Sequence, residues 1–269
     1  KTKMLGIGNS AGTKRCAAIA KKRVRDARAK FTAVKKIGRG GACTAAWTAV
    51  SGNAGMLYDT TCNGVSDTML EQMRKAAARS CSAPAHGKSS NLALWIANLR
   101  ARVDPAFAAH AMPICSLGMA LWESWDFPSF IKVSADAAFQ RMHEGLSWSK
   151  VCGPLDAAIL SAKRIGWKWA SGTSGVDDCG RAFDLQVDSP AAIRVMVEAS
   201  VSRWVDQALF KENPALGTWN GAGIEKYGMQ FLIRNKHHTS SSVPHWTDAC
   251  LPYAISTAVN GQWLQMRRF

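Results

Sequence analysis

The residues best placed to do chemistry are basic. Residues 13–39 hold eleven Lys/Arg and a single acid, Asp26, in a chain whose formal net charge is +15. With Lys1 and Lys3, the first 39 residues carry a net +12, which leaves the other 230 nearly balanced at +3. Such a run lacks the acids for the i,i+4 pairs that steady a charged helix, and like charges at that spacing repel unless a polyanion neutralises them. The chemistry on offer is therefore anion binding, with Lys14, Lys21, Lys22, Arg25, Arg28 and Lys36 as candidate phosphate contacts.

Other groups offer less. His245 and Cys250 have the H-x4-C spacing of a zinc knuckle, with His237 and His238 just upstream. A tetrahedral zinc needs four ligands, and the Cys pair of a knuckle is missing. His238, His245 and Cys250 with one distant Cys would complete such a site; exposed loop histidines and a buried thiol are the favoured reading, and no metal site is predicted. No Gly-x-Ser-x-Gly elbow occurs, and no Cys sits in a signature that pairs it with a His. Gly38, Gly40 and Gly41 lack a preceding strand and a following Lys-Ser/Thr, which favours a helix C-cap over a phosphate cradle. No catalytic residue and no cofactor are predicted for this chain.

The elements that must position the basic groups are helices. Ala17, Ala20, Val24, Ala27, Phe31 and Val34 step by three and four, giving one narrow apolar stripe. At about 100° per residue, Lys14, Lys21, Arg25, Arg28 and Lys36 fall along one flank of that stripe, with Lys22 just beyond. The charges make a ridge. A helix of about 24 residues would run about 36 Å, beside several phosphates of a duplex that carries one charge per roughly 1.7 Å.

Around this helix, residues 1–7 read as a short strand and 8–12 as a turn. Residues 42–50 suggest a short helix, and 51–55 a turn before Met56, Leu57 and Tyr58. Ser66, Asp67 and Thr68, with Glu71 three beyond Thr68, have a capping-box pattern. In the helix that follows, Leu70, Met73 and Ala77 face inward, and Arg74, Lys75 and Arg79 form a second basic surface. Leu92, Trp95, Ile96 and Leu99 mark another helix, closed by Asp104 and Pro105.

Helices are predicted over about 106–125 and 129–145, with Trp122 and Trp125 as core anchors. Residues 105–122 contain no Asp, Glu, Lys or Arg and are about the minimum length of a membrane span. Pro113, His110, Ser116 and Gly118 favour a buried core helix broken at Pro113, with no membrane partner. Gly153 and Pro154 open a helix through Ile159, Leu160 and Lys163. Residues 167–169 and 181–185 then alternate like two strands around a turn at 177–180. Ser189 and Pro190 cap a long helix with Ile193, Val197, Val201 and Trp204 on one side, and 236–245 reads as an exposed loop.

A chain of 269 residues with 47 % hydrophobic content can bury a substantial core, which excludes a disordered tail. Eight scattered cysteines without a CxxC pair exclude a compact disulfide framework and fit the reduced thiols of an intracellular protein, nuclear or cytoplasmic. The sequence opens at Lys1 without an initiator Met, signal peptide or transit segment, and we read it as a piece of a longer polypeptide.

In this order, the chain resembles the segment that follows the catalytic palm in reverse transcriptases of non-LTR (LINE-type) retrotransposons. Lys1, Thr2, Lys3, Met4, Leu5, Gly6 and Ile7 are similar to the K-x-K-x-LG-[IV] hairpin that ends the palm near the primer terminus. The helix at 14–37 resembles the start of the thumb. Tyr58 with Gly64, Val65, Ser66 and Asp67, the run 73–79, then Gly153 and Pro154, Gly166 and Trp167, 178–181, Asp184 and Leu185, and 261–268 are similar to landmarks of the connecting region. Ala54 and Gly55 stand where the pattern has a proline, and Asp59 where it has a glycine.

The resemblance implies a mainly α fold. A primer-grip-like hairpin at 1–12, using Lys3, Leu5 and Gly6, would precede a thumb-like basic helical bundle at 13–147. A helical connection region at 148–269 would follow, carrying a small β-hairpin near 167–185, with the boundary near 147–153. It also implies that the metal-binding Y/F-x-D-D carboxylates, and the Mg they hold, lie upstream of Lys1. Asp177 and Asp178 lack the aromatic and run straight into Cys179 and Gly180, so they are read as turn residues. The chain is then not expected to catalyse alone. Its partners would be RNA, DNA or an RNA–DNA hybrid, together with the rest of the reverse transcriptase polypeptide. The alternative is a stand-alone helical nucleic-acid-binding or ribonucleoprotein scaffold protein with no enzymatic activity.

Overall fold

The computed structural model describes residues 2–4, 7–9, 15, 17–39, 44–81, 89–101, 103–123 and 128–212. The fold is mainly helical, with a two-stranded hairpin and a small three-stranded antiparallel sheet. Contacts divide the chain into two compact units, each assembled from three separate segments. One comprises Lys1–Ala27, Ala54–Met73 and Pro105–Trp204; the other comprises Arg28–Asn53, Arg74–Asp104 and Val205–Phe269. The expected boundary near 147–153 falls inside the third segment of the first unit.

The first unit opens with β1 (Thr2–Met4) paired antiparallel to β2 (Ile7–Asn9), Lys3 standing opposite Gly8. Gly8 and Asn9 thus belong to a strand rather than to the expected turn, because pairing with β1 satisfies backbone that composition alone marks as a turn. The first ten residues of α1 (Ala18–Arg39) follow. Next come α3 (Ala54–Leu57), α4 (Thr60–Asn63) and the start of α5 (Asp67–Cys81). α5 begins at Asp67, so Thr68 lies inside the helix and cannot serve as the cap of the predicted box. Instead Ser66 O accepts the Leu70 N–H at 2.8 Å.

The core of this unit is α7 (Pro105–Glu123), packed against α3, α4, α8 (Pro128–His143) and α9 (Pro154–Arg164). Among the described residues it is the one helix long and apolar enough to cross a membrane, and 56 % of its most apolar window is buried by its own fold. It runs unbroken through Pro113, contrary to the expected break. Pro113 removes one backbone donor, but Ala109, His110, Ile114 and Leu117 around it are all buried, so packing holds the helix through the gap.

After α9 comes a meander of β3 (Lys168–Trp169), β4 (Ser174–Val176) and β5 (Ala182–Asp184), in the order β3-β4-β5. The expected hairpin omits β4, since Gly172, Thr173, Ser174 and Gly175 lack the apolar alternation that marks a strand. Gly175 is there for room: a Cβ would stand 2.2 Å from Lys168 O across the ladder. Trp167, Trp169 and Phe183 fill the inner face, their rings 4.6 and 5.2 Å apart by centroid for the Trp167–Phe183 and Trp169–Phe183 pairs. The first part of α10 (Pro190–Glu212) contributes Ile193, Val197 and Val201, all fully buried, as the sequence period predicts.

The second unit holds the rest of α1, α2 (Thr44–Trp47), a π-helical turn (Thr48–Asn53), the end of α5, α6 (Ser90–Ala101) and the end of α10. Residues 51–55 are helical, not the expected turn. Gly52 is required by packing: a Cβ there would lie 1.9 Å from Phe31 Cε1. Thr48 Oγ1 and Ser80 Oγ are hydrogen-bonded, and Asn53 Nδ2 donates to Val103 O at 2.7 Å. Trp95 Nε1 donates to Asp206 at 2.8 Å.

Candidate nucleic-acid interface

α1 separates apolar from basic residues as its period predicts. Ala20, Val24, Ala27, Phe31 and Val34 are no more than 4 % exposed, whereas Ala17, just ahead of the helix, is half-buried. Lys21, Lys22, Arg25, Arg28 and Lys36 are exposed. None of the five forms an ion pair with a described residue, since the helix offers only Asp26. Burying the stripe thus presents the ridge to solvent without neutralising it. Lys3 sits in β1; Lys14, Leu5 and Gly6 lie outside the described residues.

Two arginines of the same run point inward instead. Arg23 lies on the other flank of the stripe, and its Nη1 is 3.5 Å from the buried carboxylate of Asp59. Its guanidinium also covers the Tyr58 ring, with Cζ 4.7 Å from the centroid. Burial raises the Asp59 pKa above the ordinary carboxylate value, while Arg23 and Arg15 oppose the rise. Arg15 donates its backbone N–H to Ser149 O at 2.9 Å and its Nη2 to Gly64 O.

Arg164 reaches the same place from α9. Its Nη2 donates to Val65 O, and its Nε lies 2.8 Å from Asp67 Oδ1. The Arg15 and Arg164 guanidiniums flank Trp148, with Cζ at 6.0 and 4.3 Å from the ring centroid. Gly64, at φ 57°, passes so close beneath that ring that a Cβ would lie 2.5 Å from it. Burial lowers the pKa of both arginines, that of Arg164 to about 10, with Asp67 opposing in its case. These cations tie the first unit together and are not offered to a ligand. Counting charges along the chain missed this. Only Arg23 carried a signal, its place about 100° from Val24 beside the apolar stripe.

The acidic pair has a turn geometry. Asp177 Oδ1 accepts the backbone N–H groups of Cys179 and Arg181 at 2.9 and 2.8 Å, and its Oδ2 accepts the Arg181 side chain at 3.1 Å. Asp178 accepts Arg203 at 2.6 Å through each of two nitrogens, and Ser200 Oγ at 2.5 Å. Trp167 Nε1 donates to that same Ser200 hydroxyl at 2.8 Å. The hydrogen bonds from Arg203 hold the Asp178 carboxyl below its ordinary pKa despite partial burial. Ligand atoms of Asp177, Asp178 and Cys179 lie within 4.8 Å of one another. Both carboxylates are nonetheless engaged by N–H, O–H and guanidinium donors, so the cluster does not fit a divalent cation such as a polymerase's Mg.

Arg74, expected on a second basic surface with Lys75 and Arg79, is buried and pairs with Asp104, its Nη2 2.8 Å from Oδ2. Lys75 and Arg79 are exposed. Trp122, expected as a core anchor, is 45 % exposed at the end of α7. Cys62, Cys81, Cys115, Cys152 and Cys179 are free thiols, and burial pushes Cys115 up to about 11. Trp125, His237, His238, His245, Cys250 and residues 261–268 lie outside the described residues. No protein-family model, curated protein or solved structure matches the chain.

Proposed function

We propose that the chain is a nucleic-acid-binding thumb and connection region of a retrotransposon RNA-directed DNA polymerase, holding RNA, DNA or an RNA–DNA hybrid through α1. The observation that carries the binding is the segregation of charge on that helix. Six cations of the helix are exposed beside a single acid, five of them (Lys21, Lys22, Arg25, Arg28 and Lys36) on or next to the ridge, while the apolar stripe is buried. Such a surface is stabilised by a polyanion and by little else. The assignment to a reverse transcriptase rests on the collinear motifs from Lys1 to Arg268. The mainly helical fold, and the hairpin carrying Lys3 ahead of α1, are consistent with it. The polymerase chemistry, and the Mg ions that go with it, belong on this reading to carboxylates outside the chain. Binding to a labelled duplex, measured by anisotropy across a salt series, tests the first half. An in-frame Y/F-x-D-D upstream of Lys1 tests the second; a start codon directly before Lys1 would favour the stand-alone scaffold instead.

A further inference from the structure

Tyr58 lies in the two-residue turn between α3 and α4 and is 56 % exposed, although its neighbours Leu57 and Asp59 are 4 % and 3 % exposed. Met56 and Thr60, the next residues out, are likewise buried, so the turn is fixed from below while the ring projects. Asp59 holds the Arg23 guanidinium against the ring, 4.7 Å from its centroid. A rigidly seated, exposed aromatic ring backed by a cation is a surface on which an unpaired base stacks.

We propose that Tyr58, backed by Arg23, is a stacking platform for one unpaired nucleobase. This rests on the reading of α1 as a polyanion surface and adds a preference: bases in a duplex are already stacked and cannot use the platform. It also gives Asp59 a positioning role, since its carboxylate orients the guanidinium beneath the ring.

The test uses the full chain and a single-stranded RNA oligonucleotide carrying 2-aminopurine, beside a duplex of the same sequence. Wild type and Tyr58→Phe should quench the probe. Tyr58→Leu should bind the single strand roughly ten-fold more weakly, with the salt dependence and the duplex affinity unchanged. An oligonucleotide carrying 5-iodouracil should crosslink under ultraviolet light to the peptide that contains Tyr58. If Tyr58→Leu matches wild type while Gln substitutions on the ridge weaken binding, the platform is refuted and the role of α1 survives. If neither changes binding, the reading of α1 fails and takes the platform with it. Absence of a crosslink at Tyr58 in the wild-type chain also overturns the proposal, independently of how the variants fold.

Discussion

Changing Lys21, Arg25, Arg28 and Lys36 together to Gln probes the basic helix directly. Each phosphate contact on B-DNA contributes about 0.9 to the slope of log affinity against log salt. The five exposed ridge side chains therefore set an upper bound of about 4.5 for this surface, and the quadruple variant, keeping Lys22, a bound of about 0.9. Between about 50 and 200 mM salt these slopes correspond to a loss of roughly 500-fold for the wild type and only about 3- to 4-fold for the variant. The fold should be untouched. All four side chains are exposed, substitutions at such sites change stability by about 0.5 kcal/mol or less, and removing like charges relieves repulsion along the helix. The assay is fluorescence anisotropy of a labelled duplex at four or more salt concentrations, with circular dichroism as the control for folding. An unchanged slope in a folded variant would refute the argument, because it would mean that the measured affinity comes from cations elsewhere in the chain.

Three further outcomes follow from packing and ion pairing. Asp104→Ala leaves Arg74 buried without its counter-ion and should cost about 3–5 kcal/mol in urea unfolding. Replacing the pair jointly, Arg74→Met with Asp104→Leu, should recover most of that, and a single-variant cost below about 1 kcal/mol would show that the pair is not buried as described. Gly52→Ala should destabilise by about 1–3 kcal/mol through collision with Phe31, the opposite sign from the usual gain of about 1 kcal/mol for alanine in a helix; Phe31→Leu should rescue it. Asp178→Asn should cost about 1–3 kcal/mol near neutral pH by breaking the contacts to Arg203 and Ser200. Because the folded pKa of Asp178 is depressed, its contribution is complete above the unfolded value near about 3.9 and is lost as pH falls through the lower folded value. The wild-type advantage should therefore shrink only below about pH 4, and an advantage that persists into stronger acid would contradict the assignment.

Periodic apolar spacing carried the helices. The stripe on α1, the inner residues of α5 and the Ile193, Val197 and Val201 face of α10 all emerge buried, since each is a local consequence of 3.6 residues per turn. Gly52 reads as part of a turn, and the strand of Gly175 is not expected, for a shared reason. In both places glycine makes room for a neighbour distant in sequence, Phe31 or the Lys168 backbone, whereas composition suggests a turn. Arg74 was misread because its buried partner Asp104 lies thirty residues away and nothing local announces the pair. The exposed cations of α1 were legible because side-chain direction on a helix follows from position alone. Tyr58 as a platform was not, since its significance depends on Arg23 and Asp59 meeting beside it.

The interleaving of the two units has a consequence for synthesis. Arg15, just ahead of α1, contacts Trp148 and Ser149, which a ribosome adding about 5–20 residues per second delivers roughly 7 to 27 s later. Through that interval Arg15 lacks both partners. Like charge on neighbouring chains repels, so the exposed cations of α1 oppose association of nascent chains while the first unit waits for its third segment.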